Sequence, residues 1–244
     1  MSTFGDLLER RGDSIFDKGT IHLEPEEFCP AEEEVCEPST FADEQIRGLV
    51  RQVFFPGWPK PARQVVFSAV DPETDIREIC MQVGLALASQ VPGKTCVVEA
   101  DPDGPGLKEF ADSDGLHPVP VGENISLGDS SRRISHQLWL VPRDRFLGQT
   151  GDGSSGPWLR DRLAELRKTF DYTVIHGPAA AIHSEATLLG SLCDGVVLVL
   201  EANSTRRVAA QKVKERLQSS NARLLGAILS QRTFPIPQAL YRRL

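Results

Sequence analysis

The sequence lacks the features of a membrane-spanning, secreted or disulfide-stabilised protein. No run approaches the roughly 18 uninterrupted apolar residues that mark a transmembrane helix. The first residues, MSTFGDLLERRGDS, place acidic side chains where a secretory signal needs a basic start and an apolar core. The five cysteines form no Cys-x-x-Cys pair and are odd in number, which disfavours a disulfide framework or a zinc finger. These absences predict a cytoplasmic protein with reduced thiols.

Positive charge is also too scarce for a general nucleic-acid-binding protein, because the formal net charge of the 244 residues is −7. Residues 1–45 contain 13 of the 34 acidic residues and only 3 of the 27 basic ones. This segment has no sustained hydrophobic periodicity, so we predict a largely disordered acidic tail over residues 1–41. The alternative is a docking segment in which Phe4, Leu7 and Leu8 anchor on another protein.

Short apolar strands alternate with helical segments between residues 42 and 234. The predicted strands are QVVFSAV (64–70), TCVVEAD (95–101), QLWLVP (137–142), YTVIHGP (172–178), GVVLVLEA (195–202) and ARLLGAILSQ (222–231). Strands alternating with helices predict an α/β fold, in which a mainly parallel sheet has helices on both faces. Residues 102–137 are predicted to be a loop, and residues 235–244 a flexible basic tail. In such a sheet a ligand binds at the carboxyl ends of the strands.

A relaxed P-loop pattern occurs between Ala88 and Thr95, but it lies in the wrong structural context. A P-loop needs a strand before it and a helix after it, so that backbone amides at the helix start surround a phosphate. Here the predicted helix, over residues 73–90, comes first and a strand follows. We therefore do not interpret these residues as a phosphate site.

The loop with the right context, SAVDPETDIRE (68–78), follows the first strand and contains neither glycine nor lysine. Asp71, Glu73 and Asp75 stand where a phosphate would lie. At about 4 Å and an effective dielectric constant near 20, each carboxylate–phosphate pair costs on the order of 4 kcal/mol. Without glycine the backbone also lacks the freedom that lets amides converge on an anion. The loop is therefore predicted to disfavour phosphate.

Five segments follow one another in an order that is found in a known family. They are EQIR (44–47), VVFSA (65–69), EAD (99–101), FDYTVIHGP (170–178) and the closing pair CDGVVLVLEANST and ARLLGAILSQ. This order resembles the cytoplasmic tyrosine kinases of bacterial capsule and exopolysaccharide assembly, within the MinD/ParA-like class of P-loop ATPases. The resemblance covers roughly residues 42–233. It implies a P-loop NTPase-like fold, ATP and Mg²⁺ as cofactors, and self-association through Glu44 and Arg47.

The motifs for chemistry depart from this family. The degenerate phosphate loop comprises Ser68, Ala69, Asp71, Glu73, Thr74, Asp75 and Ile76. The family's P-loop lysine falls on Asp75 or Ile76, and Ile76 or Arg77 replaces the residue that binds magnesium. At the acidic strand ends Asp101 is kept, Glu99 is a longer stand-in, and His176 replaces the Walker B aspartate. We therefore expect no intact catalytic residue and use of neither ATP nor Mg²⁺.

The resemblance and the departures together predict a catalytically silent, tyrosine-kinase-like regulator or scaffold in capsule or exopolysaccharide biosynthesis and export. The implied partners are an active homologue, in a homo- or hetero-oligomer, and a membrane protein that regulates polysaccharide chain length. The latter would hold the protein at the inner membrane. Two alternatives stay open: a residual ATP-binding tyrosine kinase or ATPase of the same pathway, and a MinD/ParA-like positioning factor. Tyr241 is a candidate phosphate acceptor.

Two other arrangements of polar residues are weaker hypotheses. His176 and His183, with Glu185 nearby, would form a metal site in the emptied pocket. Ser68, His176 and Asp101 would form a catalytic triad, although the glycines of a sharp strand–serine–helix turn are missing. We favour a space-filling His176 and a solvated acidic loop, and expect no metal site.

Overall fold

The computed structural model describes residues 38–55, 61–104, 106–107, 126–148 and 156–231. The strands in this part of the chain are β1 (Gln64–Ala69), β2 (Thr95–Glu99), β3 (Arg132–Ser135), β4 (Leu138–Val141), β5 (Tyr172–Gly177), β6 (Gly195–Glu201) and β7 (Leu224–Ser230). The helices are α1 (Pro38–Phe54), α2 (Arg77–Gln90), α3 (Arg143–Phe146), α4 (Gly156–Thr169), α5 (Ser184–Leu192) and α6 (Arg207–Ser219). The predicted C-terminal tail, Tyr241 and residues 1–37 of the predicted acidic tail lie outside the described residues.

The seven strands form one sheet in the order β3-β4-β2-β5-β1-β6-β7. All neighbours are parallel except β3 and β4, which are antiparallel. Strands β1 and β2 are buried along their whole length, as expected where helices cover both faces of a parallel sheet. The predicted fold class is confirmed.

Two hydrophobic cores lie on opposite faces of the sheet, because successive side chains of a strand point to opposite sides. One core joins Phe67 of β1 to α1 and α2. The other joins the adjacent Val66 to α4, α5 and α6. Both side chains are fully buried. This packing fixes the central strand β1 between β5 and β6, and with it the loop that leaves its carboxyl end.

Four details of the predicted elements were wrong. Residues 132–135, predicted as loop, form β3, a short strand that hydrogen-bonds antiparallel to β4 across a two-residue turn. Helix α2 begins at Arg77 instead of residue 73, because the backbone N–H of Thr74 closes a turn on the Asp71 carbonyl oxygen at 3.3 Å. Helix α1 begins at Pro38, so the last four residues of the predicted tail are helical. The single helical turn α3 was not predicted.

The rejected P-loop pattern lies in the context that the sequence indicated. Its residues run from the end of α2 through a turn at 91–94 into β2. Helix α2 is capped at its carboxyl end by Val91 in an extended conformation. Among the helices that the structure describes, none is long and apolar enough to cross a membrane.

Candidate functional site

A cleft of about 370 Å³ opens at the carboxyl ends of β1, β2 and β5. It is the place where ligands bind in parallel α/β sheets. The side chains that line it come from the β1–α2 loop, the turn after β2, and the end of β5 with the loop that follows. The lining residues are Ala69, Asp71, Pro72, Glu73, Thr74, Asp75, Ile76, Arg77, Asp101, Asp103, Gly104, His176, Gly177, Ala179, Ile182 and His183.

The β1–α2 loop is held in place from both sides by backbone hydrogen bonds. The N–H of Val70 donates to the Val199 carbonyl oxygen at 3.0 Å, and the N–H of Ala180 donates to the Ala69 carbonyl oxygen at 2.8 Å. Further along, the Thr74 hydroxyl donates to the carboxylate of Glu201 at 3.2 Å. The predicted phosphate-loop segment is therefore a fixed wall of the cleft.

Asp75 and Arg77 form a closed pair at the start of α2. The backbone N–H of Arg77 donates to Asp75 Oδ1 at 2.9 Å, and the Arg77 guanidinium donates to both oxygens of the same carboxylate at 2.7–3.1 Å. The hydrogen bonds from the Arg77 side chain lower the pKa of Asp75, and partial burial opposes them. A carboxylate is favoured at a helix start, where unpaired N–H groups and the helix dipole attract negative charge. Asp75 thus supplies a negative charge at the helix start, where a P-loop binds a phosphate.

The neighbouring position gives no cation to the cleft. Ile76 is the N-cap residue of α2, 2% exposed, and packs into the core with Phe67. Neither position on which the family's lysine falls therefore supplies a positive charge. Among the residues that the structure describes, those lining the cleft include five carboxylates, two histidines, one guanidinium from Arg77, and no lysine.

His176 lies at the centre of the cleft floor. Its Cα pairs with Phe67 of β1 and with Glu99 of β2, so β5 carries it between the two strands. The residue is 3% exposed, and its Nδ1 has no hydrogen-bond partner. Burial lowers the pKa of His176, and the carboxylates of Asp101 and Asp75 oppose that effect. The imidazole is therefore neutral at pH 7.

The turn after β2 brings two more carboxylates to the cleft and is held by Arg143 of α3. The Arg143 guanidinium donates to the carbonyl oxygens of Asp101, Pro102 and Gly104 at 2.6–3.2 Å. Asp103 on this turn lies 3.4 Å from His183 Nε2, across the mouth of the cleft. Arg143 thus acts on the shape of the turn through its backbone.

Two of the predicted site residues do not reach the cleft. The buried Ser68 hydroxyl donates to the Pro178 carbonyl oxygen at 2.5 Å. Glu99 is 2% exposed, lies outside the cleft lining, and accepts the backbone N–H of Arg143 at 3.4 Å. The other predicted residues of the phosphate loop and strand ends, from Ala69 to Ile76 together with Asp101 and His176, do line it.

The two weaker hypotheses fail on geometry. Ser68 pairs with Gly177, one step beyond the Phe67–His176 pair, so Ser68 and His176 point to opposite faces of the sheet. That excludes the triad. Among the residues that the structure describes, no three His, Cys, Asp or Glu side chains are grouped closely enough to hold a metal ion. The site built from His176, His183 and Glu185 is therefore not supported.

Glu44 and Arg47 lie on α1, away from the cleft lining. Arg47 Nη1 and Glu44 Oε2 are 4.0 Å apart, and the two side chains are 56% and 60% exposed. A surface pair of this kind adds only a few tenths of a kcal/mol to the stability of a helix. Both side chains remain accessible to a partner.

Comparison with known proteins addresses the predicted resemblance. The tyrosine-protein kinase CpsD of Streptococcus agalactiae is 35% identical over 108 residues, which are 44% of this chain and 47% of that protein. The tyrosine-protein kinase YwqD of Bacillus subtilis is 32% identical over 76 residues, 31% of this chain and 32% of that protein. The predicted resemblance to bacterial tyrosine kinases is confirmed. The chain matches about half of the length of CpsD and a third of YwqD. No protein-family model matches the chain.

Solved structures agree on the fold of this chain. The chimerical protein CapA2B2 superposes with a TM-score of 0.64 at 17% identity, over 83% of this chain and 88% of that one. The VpsO kinase domain superposes with a TM-score of 0.59 at 18% identity, over 80% and 98%. The MinD cell division protein of Aquifex aeolicus superposes with a TM-score of 0.54 at 17% identity, over 75% and 73%. The chain therefore has the MinD-like P-loop NTPase fold.

Two functional contacts escaped the sequence analysis. The pairing of Arg77 with Asp75 is local, and the spacing Asp-x-Arg at a helix start was a usable signal. Arg143 reaches the carbonyl oxygen of a residue 42 positions away, and no local pattern marks such a contact.

Proposed function

We propose that this chain is a catalytically silent, tyrosine-kinase-like protein that acts by binding other proteins. Its setting would be capsule or exopolysaccharide biosynthesis and export, as a regulator or scaffold. One observation carries the proposal. The carboxylate of Asp75 accepts hydrogen bonds from the first backbone N–H of α2 and from the guanidinium of Arg77. In a P-loop protein that position belongs to the phosphates of the nucleotide.

The charge around this position supports the proposal. A triphosphate placed at the start of α2 would approach Asp75 and Asp71 within the same narrow cleft. Displacing Asp75 would break its bonds to Arg77, and each remaining carboxylate would repel the phosphates. Arg77 is 18% exposed and also donates to the Gly106 carbonyl oxygen at 3.3 Å, so its position is fixed from a second side. The residues present do not fit a magnesium–triphosphate group.

Phosphoryl transfer depends on cations that position the phosphates and neutralise the charge that develops on them. Here a core isoleucine, Ile76, and a carboxylate, Asp75, stand where the lysine is needed. At the end of β5 the neutral His176 stands where an acid is needed. We therefore propose that the fold has been kept for binding.

The exposed Glu44–Arg47 pair is the proposed self-association site. Arg47 of this pair lines a groove of about 240 Å³ between α1 and α2, together with Ile46 and the 46% exposed Leu85. Charged side chains around an apolar contact are typical of protein interfaces. The proposed partners are a second copy or an active homologue, with a membrane chain-length regulator as the further partner in the pathway.

The proposal is tested by measuring oligomer mass and phosphotransfer together. Arg47→Glu should reduce the mass seen in light scattering, because it reverses a charge at the proposed contact between copies. Since the pair is exposed, the melting temperature should change little. The matched control is Arg160→Glu, which makes the same charge reversal at an exposed position of α4. It should leave the oligomer mass unchanged. A wild-type monomer, or an Arg47→Glu variant of unchanged mass, contradicts the self-association site. Transfer of label from γ-labelled ATP to tyrosine by the purified chain contradicts catalytic silence.

A further inference from the structure

Two residues of the cleft each have a buried polar atom with no hydrogen-bond partner among the residues that the structure describes. Nδ1 of the 3% exposed His176 has no hydrogen-bond partner, and neither has Oδ2 of Asp71. Both residues line the cleft. Buried polar atoms are nearly always paired, so an unpaired one calls for a partner from outside the protein chain, such as water or a ligand. Here the two residues that carry such atoms belong to one cleft.

The chemistry of these atoms restricts what can pair with them. The carboxylate of Asp71 is an acceptor only, and a neutral imidazole has one nitrogen that accepts. Rotation of the Asp71 carboxylate exchanges its two oxygens, so either can face the cleft. A group rich in N–H donors can pair with both side chains, whereas a phosphate is repelled by the carboxylate of Asp71.

The charge of the cleft also favours a cation over a phosphate. The lining contains the carboxylates of Asp71, Glu73, Asp75, Asp101 and Asp103. The single guanidinium among the lining residues lies on Asp75. A cation in this space would be attracted by the remaining carboxylates, and most strongly by Asp71 and Asp101, which are only partly exposed.

We propose that the cleft binds an organic cation, an alkylguanidinium or alkylammonium group, with Asp71 and His176 as its hydrogen-bond acceptors. The group belongs to a small free amine or to an arginine or lysine side chain of a peptide. A volume of about 370 Å³ is in the range of small-molecule sites. The inference goes beyond the proposed function, since a catalytically silent scaffold need not bind a small cation.

Isothermal titration of the full chain tests the inference. The probes are agmatine, putrescine and the uncharged 1,4-butanediol. Agmatine or putrescine should bind with a stoichiometry of one, and butanediol should give no binding heat. A parallel titration with N-acetyl-arginine-N-methylamide distinguishes the source: at least tenfold tighter binding than agmatine assigns the site to a peptide side chain, and the reverse assigns it to a free amine.

Variants locate the binding. Asp71→Asn and His176→Leu should each weaken agmatine binding at least tenfold, while Asp161→Asn, which removes an exposed carboxylate on α4, should not change it. Equal affinity of Asp71→Asn and wild type overturns the inference, because the acidic residues 1–45 would then bind the probe. Absence of binding at millimolar amine, or displacement of agmatine by micromolar Mg²⁺ or Ca²⁺, overturns it as well. Binding of MgATP contradicts the proposed function whatever the amine titrations give, so the two failures are distinct.

Discussion

Neutralising Asp75 tests whether its carboxylate stabilises the start of α2 or whether the helix start is an open phosphate site. The carboxylate is 52% exposed, so its ion pair with Arg77 contributes about 0.5–1 kcal/mol to stability once solvent screening is considered. Its charge at the start of α2 adds roughly 0.5 kcal/mol. Asp75→Asn should therefore lower the free energy of unfolding by about 1 kcal/mol at pH 7. In a domain of this size that corresponds to a fall of about 2–4 °C in the melting temperature.

The pH dependence of this effect has a definite sign. Arg77 lowers the pKa of Asp75 in the folded state, so the carboxylate stabilises the protein above its unfolded pKa of about 3.9. That contribution is lost as the pH falls through the folded pKa. The stability difference between wild type and Asp75→Asn should therefore be constant from pH 5 to 7 and shrink below about pH 4.

Urea denaturation of wild type, Asp75→Asn, Arg77→Gln and the double variant measures the pair directly. The double-mutant cycle should give a coupling of about 0.5–1 kcal/mol, smaller at high salt. A coupling of zero, with an Asp75→Asn variant at least as stable as wild type, would refute the assignment of Asp75 as the group that occupies the helix start.

Three further outcomes follow from packing and burial. Burial lowers the pKa of His176, so wild-type stability should fall as the pH drops below about 6.5, the pKa of an unfolded histidine. In thermal melts between pH 5 and 7, His176→Leu should make the melting temperature depend less on pH. Gly84→Ala places a Cβ 2.5 Å from Val97 Cγ2 and should cost about 1–3 kcal/mol in urea unfolding. The carboxylate of Asp194 accepts hydrogen bonds from the guanidinium of Arg167 and from two backbone N–H groups, each at 2.8 Å. Asp194→Ala should therefore lower the free energy of unfolding by about 2 kcal/mol, measured by urea denaturation.

The predictable part of the fold is the part determined by local apolar pattern. The runs at β1, β2 and β6 consist largely of Val, with Phe, Cys and Leu, and so indicate buried parallel strands without knowledge of their neighbours. β3 was missed because its sequence, RRIS, carries two arginines on an edge strand and pairs only with β4. An edge strand buries little and so leaves a weak pattern.

The sequence could predict where the candidate site lies, but it could predict fewer of the contacts within it. Strand ends in a parallel sheet converge, and Asp101 and His176 were expected to meet there and do. The late start of α2 was not predictable, since the Asp71–Thr74 turn before it is also anchored by the hydrogen bond from Thr74 to Glu201, 127 positions away. The same holds for the 3.4 Å approach of His183 to Asp103. Such contacts depend on tertiary placement, which no local spacing encodes.

The measurement that tests the central claim most directly is a thermal-shift titration of the full chain with ATP and ADP, with and without Mg²⁺. A ligand at about a hundred times its dissociation constant stabilises a protein by roughly 2.7 kcal/mol, a shift of several degrees. Asp75 accepts a hydrogen bond from the first N–H of α2, and no lysine lines the cleft in the part of the chain that the structure describes. No shift is therefore expected at millimolar nucleotide. A magnesium-dependent shift of several degrees would contradict the account and would assign the cleft to a nucleotide.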